Sequence, residues 1–353
     1  MQQKLLKKTA FFTCIFAVVS LGLIIGTASL RLPSAKEVSQ EETSKFENTD
    51  GTLMEKTETG HELLFDEDET LDFLSIPLPA GSNEEDISIE NQYMNRKLYV
   101  LVRDADESFY AENTLSGNRD AIDLGRYEKT RDGILLAFDL DGIYEYYTNY
   151  EEGELCISFL NPRSVYDRIV VIDPSCGGED TGYKHNSVTE KELTLQIVMK
   201  LKEKLDDSEI KAYYTRLDDT DPAEEDRIAL ANDLKADMYI AISADMQEDE
   251  SVYGASTIYN DEYFIPGFGS VELADLLEKE LVSAIKTKAL GIQKASSENK
   301  LHYARIPAAE VRVGCLSNKK EAALLDQEDY IEKIADGIYN AIVSAYENYE
   351  RTD

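Results

Sequence analysis

Arg168-Ile169-Val170-Val171-Ile172-Asp173-Pro174-Ser175-Cys176-Gly177-Gly178 is an unbroken apolar run that stops at an Asp-Pro turn followed by two glycines. A strand without polar alternation is buried on both faces, as in a parallel sheet covered by helices. The chain beyond it repeats the theme. Residues 190–205 carry Leu193, Ile197, Val198, Leu201 and Leu205 at helical spacing. Strands are predicted at 210–214, 237–242, 253–260 and 308–313, and helices at 222–235, 271–288 and 330–349. Alternation of this kind specifies an α/β fold, a mostly parallel sheet flanked by helices. Sites in such sheets form at the carboxyl ends of the strands, so the residues after each strand are the ones to inspect.

Upstream the period changes. Residues 97–102, 133–140 and 154–160 alternate or run apolar between turn residues, which predicts a small all-β domain over 86–165. Residues 36–85 are rich in Glu, Asp, Ser and Thr, densest at Asp66-Glu67-Asp68-Glu69, and read as an acidic disordered linker. Residues 9–30 contain no charged side chain and follow Lys4, Lys7 and Lys8. About 20 helical residues span a bilayer, and flanking lysines stay on the cytoplasmic side. Residues 1–35 are therefore expected to be a cytoplasmic stub with a transmembrane helix that exports the remainder, or alternatively a cleaved signal peptide. The expected location is the cell membrane, single-pass, with the folded part outside. The fourth segment, 166–353, is the α/β domain.

Composition narrows the chemistry. Of 353 residues, 70 are acidic and 36 basic, a formal net charge of −34. That argues against nucleic acid, whose phosphates are bound by Lys and Arg. At 42% hydrophobic the chain has material for a sizeable core. Only three histidines are present, His61, His185 and His302. His61 falls in the linker and His302 before the last strand, neither at a credible ligand position; His185, in the loop before Glu190, is the one histidine near the expected cleft and reads first as a surface-loop residue. Four scattered cysteines do not make a disulfide scaffold or a zinc knuckle.

At the strand ends the chain reads Asp173-Pro174-Ser175-Cys176-Gly177-Gly178, then Glu190-Lys191-Glu192, Thr215-Arg216-Leu217-Asp218, Arg227 to Asn232, Ile242-Ser243-Ala244-Asp245 and Val311-Arg312-Val313-Gly314-Cys315-Leu316-Ser317-Asn318. Taken in order, this series resembles the zinc-dependent N-acetylmuramoyl-L-alanine amidases of bacterial cell walls, over residues 167–349. The preceding β-rich region is placed like an accessory wall-targeting domain. The resemblance implies hydrolysis of the amide between N-acetylmuramic acid and L-alanine of the stem peptide, by zinc held by His, Glu and His with a further Glu as base.

Carried over residue by residue, the zinc-ligand positions are Cys176, Glu190 and Ser243, and the general-base position is Arg312. Glu190 alone is retained. A thiolate can bind zinc, but a neutral serine is a poor ligand and an arginine cannot accept a proton. Arg312 is expected to pair with Glu190 in the vacated site. Asp245 and Glu310 are rescue candidates, each two residues from a lost position, and Cys176 with Cys315 is a candidate disulfide. The resemblance thus implies a degenerate homologue without zinc and without a catalytic residue, binding peptidoglycan or stem peptide and regulating wall remodelling, with an envelope protein partner. Two alternatives stay open: an active zinc amidase with an altered metal site, and a structural partner in an envelope complex that does not touch peptidoglycan.

Overall fold

The computed structural model describes residues 60–348, apart from 69, 104, 152, 263 and 264. The anchor or signal segment and the first part of the acidic linker lie outside the described residues. Among the described residues no helix is long and apolar enough to cross a membrane.

The first described strands are β1 (His61–Glu62), β2 (Phe65–Glu67), β3 (Leu74–Pro77), β4 (Ile87–Gln92) and β5 (Lys97–Arg103). After a short helix α1 (Glu107–Glu112) come β6 (Leu115–Gly117), β7 (Ile122–Lys129), β8 (Gly133–Leu140), β9 (Glu145–Glu151) and β10 (Glu154–Leu160). They form two five-stranded sheets, ordered β1-β7-β8-β5-β4 and β2-β6-β3-β10-β9. Leu98, Val100, Val102, Leu136 and Phe138 of the first sheet share one buried cluster with Leu74, Ile76, Leu155 and Ile157 of the second. Two sheets that bury one face each against the other make a sandwich.

One sequence expectation changes here. Residues 61–77 do not continue the linker, because they supply three strands. Leu74 and Ile76 are fully buried, and Ile76 sits opposite Leu155 in the β3–β10 pair. The acidic composition of the segment hid a few apolar residues at alternate positions, and alternation is all a half-buried strand needs.

A turn of helix α2 (Pro162–Val165) leads into β11 (Ile169–Pro174), then a two-residue hairpin of β12 (Lys184–His185) and β13 (Val188–Thr189). There follow α3 (Glu190–Asp206), β14 (Lys211–Tyr214), α4 (Glu224–Asp233), β15 (Met238–Asp245), β16 (Ala255–Tyr259), α5 (Ser270–Ile285), β17 (Ala289–Lys294), β18 (Ala308–Cys315), α6 (Lys319–Leu325) and α7 (Glu328–Asn348). The sheet order is β14-β11-β15-β18-β16-β17. Only the β16–β18 pair is antiparallel; the other pairings are parallel. Strand β17 and helix α6 had no expectation attached. β17 is an edge strand with no buried residue, so it carries no hydrophobic pattern to read.

Strand β11 explains the sheet's position. Val170 and Ile172 point into the core made with α3, α5 and α7. Ile169 and Val171 point to the other face, packed against α4 and the turn Lys300–Tyr303. Successive strand residues face opposite ways, so Asp173 falls on the second face with Val171. Tyr239, Ala241 and Ser243 follow the same alternation on β15, as do Ala308, Glu310 and Arg312 on β18. One face of the sheet therefore collects the polar side chains.

Candidate active-site cleft

The floor of this polar face is Asp173, which is fully buried. Arg227 of α4 donates to it from Nη1 at 2.6 Å and Lys300 from Nζ at 3.0 Å. The Thr215 hydroxyl donates at 2.5 Å, and the Tyr239 hydroxyl donates to the other oxygen. Burial alone would push the Asp173 pKa up. The Lys300 ammonium and Arg227 guanidinium, with the two hydroxyls, outweigh it and hold the carboxyl well below the usual range. The sequence singled out the Asp-Pro turn, but the convergence on Asp173 was not legible. Lys300 comes from a loop 127 residues further on.

The turn after β11 is unusual. Cys176 has φ 63, Gly177 φ 146 and Gly178 φ 53. Three residues in a row outside the ordinary right-handed and β regions fold the chain back sharply. A Cβ on Gly177 would stand 2.1 Å from the Thr220 carbonyl oxygen, so only glycine fits there.

The structure brings Cys176 and Glu190 together. Cys176 Sγ and Glu190 Oε2 both approach within 2.6 Å of the place a Cβ would take on Gly182. Glu190 opens α3 and is buried. Both of its oxygens are occupied, Oε1 by the Ala244 backbone N–H at 2.9 Å and Oε2 by that of Tyr183 at 3.0 Å. Burial raises its pKa against these two donors, and Glu310 and Asp180 add to the rise. Burial likewise pushes the Cys176 thiol far up, helped by the charges of Glu190 and Asp180.

Ser243 and Arg312 are register partners on β15 and β18. The Ser243 hydroxyl donates to Glu310 Oε1 at 2.8 Å. Arg312 donates from Nε to the same oxygen at 3.3 Å and from Nη1 to Asp245 Oδ1 at 3.4 Å. The expected Arg312–Glu190 pair is thus replaced by an Arg312 bridge between Glu310 and Asp245. The reason is geometric: Glu310 lies two residues away on the same strand face, and Asp245 lies across the ladder near a register shift between Ser243 and Asp245. Asp245 is further held by the Gln247 side chain and the Met246 N–H. The two rescue candidates are therefore committed to an arginine. Among the described residues, no group of three His, Cys, Asp or Glu donor atoms within 4.8 Å includes Cys176, Glu190, Asp245 or Glu310.

Zinc needs at least three protein donors with free lone pairs and a place for water. Here Cys176 and Glu190 are the only zinc-donor types at the three ligand positions, the serine hydroxyl is spent on Glu310, and a guanidinium stands beside them. These residues, as arranged, do not fit zinc. His185, in β12, pairs with Val188, and His61 faces Glu107 at 3.6 Å.

Cys176 and Cys315 are both free thiols, so the candidate disulfide does not form. The raised Cys176 thiol has a chemical consequence, because the thiolate is the nucleophile. In the folded protein at pH 8, Cys176 is expected to react with iodoacetamide at least about tenfold more slowly than free cysteine. Peptide mapping of the alkylated chain reads this. Rapid labelling at Cys176, before any unfolding, would contradict the protonated thiol.

Residues 170–344 match the N-acetylmuramoyl-L-alanine amidase family. The chain is 31% identical over 180 residues to the Bacillus subtilis protein YqiI, covering 51% of this chain and 85% of that one. It is 28% identical over 182 residues to the N-acetylmuramoyl-L-alanine amidase LytC of the same organism, covering 52% of this chain and 36% of LytC. Among solved structures, an N-acetylmuramoyl-L-alanine amidase from Clostridium difficile 630 is similar at 30% identity with a TM-score of 0.48, covering 52% of this chain and 98% of that one. Through its α/β domain, the chain belongs to the N-acetylmuramoyl-L-alanine amidase family.

Proposed function

We propose that the chain is a non-hydrolytic member of this family that binds peptidoglycan or its stem peptide outside the cell and regulates wall remodelling. The observation that carries this reading is Arg312 at the position of the family's base, bonded to Glu310 and Asp245. A guanidinium stays protonated at any physiological pH, so it cannot take a proton from water. Its charge also disfavours a nearby dication. Binding does not need the metal. The Arg312 side chain is 30% exposed, which leaves it able to meet a carboxylate of a stem peptide in a charge-assisted hydrogen bond.

The β-sandwich of residues 61–160 is proposed to aid wall targeting. The charge-free run 9–30 behind three lysines supports a membrane anchor, and anchoring near the wall suits an envelope partner. No nucleic acid or resident cofactor is part of this reading.

The test is the purified full chain with added zinc on isolated peptidoglycan. The expected result is co-sedimentation with the wall and no release of stem peptide above the buffer control. Metal-dependent release would restore the active-amidase alternative. Failure to sediment at physiological salt would leave the structural-partner alternative.

A further inference from the structure

A second cluster of donor groups lies at the start of β18, away from Arg312. One ring nitrogen of His302 and one carboxylate oxygen from each of Asp261 and Glu262 lie within 4.8 Å of one another. His302 had no apparent partner in the sequence, because 40 residues separate it from Glu262. The antiparallel turn of β16 against β18 closes that gap: Tyr259 sits opposite Ala309, and the Asn260 N–H donates to the Ala308 carbonyl.

We propose that Asp261, Glu262 and His302 bind a divalent first-row transition cation of the Mn²⁺, Co²⁺ or Zn²⁺ type. The imidazole carries the argument. Its Nε2 lies 2.6 Å from the Ser296 carbonyl oxygen. A carbonyl only accepts, so in the neutral imidazole Nε2 holds the proton and Nδ1 the lone pair. Nδ1 is buried and has no hydrogen-bond partner in the protein. A buried lone pair without a donor is unfavourable, and a cation satisfies it. A ring N–H given to a backbone carbonyl is also the outer bond that metal-binding histidines usually make, since it fixes the tautomer. One imidazole with two carboxylates suits borderline cations better than Ca²⁺ or Mg²⁺, which take oxygen alone.

The donors are held in place without the metal. Asn260 is buried, and its side chain donates to the Ala304 carbonyl and accepts from the Glu262 N–H. That one residue ties the 260–262 turn to the turn carrying His302. Lys294 lies 3.0 Å from Asp261 Oδ2 and is 68% exposed, so it competes with a cation only weakly. Binding here would stiffen the segment whose Asn299 and Lys300 reach Glu310 and Asp173.

Isothermal titration of the full chain in detergent with MnCl₂ and, separately, ZnCl₂ tests this. One saturable site is expected in the wild type. His302→Gln and Asp261→Asn should each weaken it by about tenfold or more. Lys294→Met should tighten it by about threefold, since removing an exposed competing charge is a small gain. That gain cannot arise from misfolding. The absence of a saturable site in the wild type would overturn the proposal. Wild-type affinity in both His302→Gln and Asp261→Asn would overturn it too, and would assign the ion to the acidic surface at large. Neither result bears on the cleft, which shares no residue with this cluster.

Discussion

Asp173→Ala is expected to destabilise the protein by about 3–5 kcal/mol, because it leaves charges buried without their partner. Arg227 has 2% of its side chain exposed and Lys300 13%, and both point at the same carboxylate. Arg227 retains Asp221 at 2.8 Å, which is 44% exposed. Lys300 retains no such ion pair among those described. Asp173→Asn keeps the shape and an acceptor for Thr215, and should cost less than alanine but well over 1 kcal/mol. Urea denaturation at pH 7 measures both. A loss under about 1 kcal/mol for the alanine variant would mean that Arg227 and Lys300 find solvent, and that Asp173 is not the hub of the cleft floor.

The acid limb of stability follows from the same residue. The folded pKa of Asp173 is depressed, so its contribution is complete above the unfolded carboxylate value of about 4 and is lost as pH falls below it. Glu190, Glu278 and Glu321 have raised pKa values, chiefly from burial. Their contributions run the other way, present at low pH and lost as pH rises through the folded value. The informative quantity is the difference between wild type and Asp173→Asn. That difference should shrink between about pH 5 and pH 2. A difference constant across that window would refute the assignment.

Glu145→Ala has the second large expected effect, a loss of about 2–3 kcal/mol. Glu145 starts β9 in the sandwich and is buried. It accepts from the Tyr213 hydroxyl at 2.5 Å, the Tyr93 hydroxyl at 3.2 Å and Lys211 Nζ at 3.2 Å. Tyr213 and Lys211 belong to β14, so one carboxylate fastens the two regions. Lys211 is also ringed by Tyr93, Tyr166 and Tyr213 within 5.9 Å of each centroid. Those rings soften the loss, because a cation over an aromatic face retains some attraction. The Arg96–Asp233 pair across the same junction is exposed and contributes little, while Tyr93, Met94 and Ile143 pack against the buried cluster beneath α4. In the variant, the sandwich and the α/β domain should unfold at separate denaturant midpoints, followed by near-UV circular dichroism of the tyrosines. A single unshifted transition would show that the junction does not depend on Glu145.

The α/β domain was legible because its strands are buried on both faces. Residues 169–174 and 238–245 contain long apolar runs, and helix α3 shows its buried stripe in the spacing of Leu193, Ile197 and Leu201. Hydrophobic period is a local property, so a sequence carries it openly. The sandwich was legible only in its long strands. Strands β1 to β3 are short and lie in acidic surroundings, so composition masked them.

The cleft divides the same way. The residue types at Cys176, Ser243 and Arg312 follow from the chain alone, and so does the absence of histidine at either ligand position. Where their side chains go is a matter of tertiary structure. Arg312 meets Glu310 and Asp245 rather than Glu190, Lys300 reaches Asp173, and His302 meets Asp261 and Glu262. The physical reason is range. Apolar burial is summed over neighbours along the chain and is averaged over many contacts. A hydrogen bond or ion pair exists only within about 3–4 Å, and strand register and loop closure across distant segments set that distance.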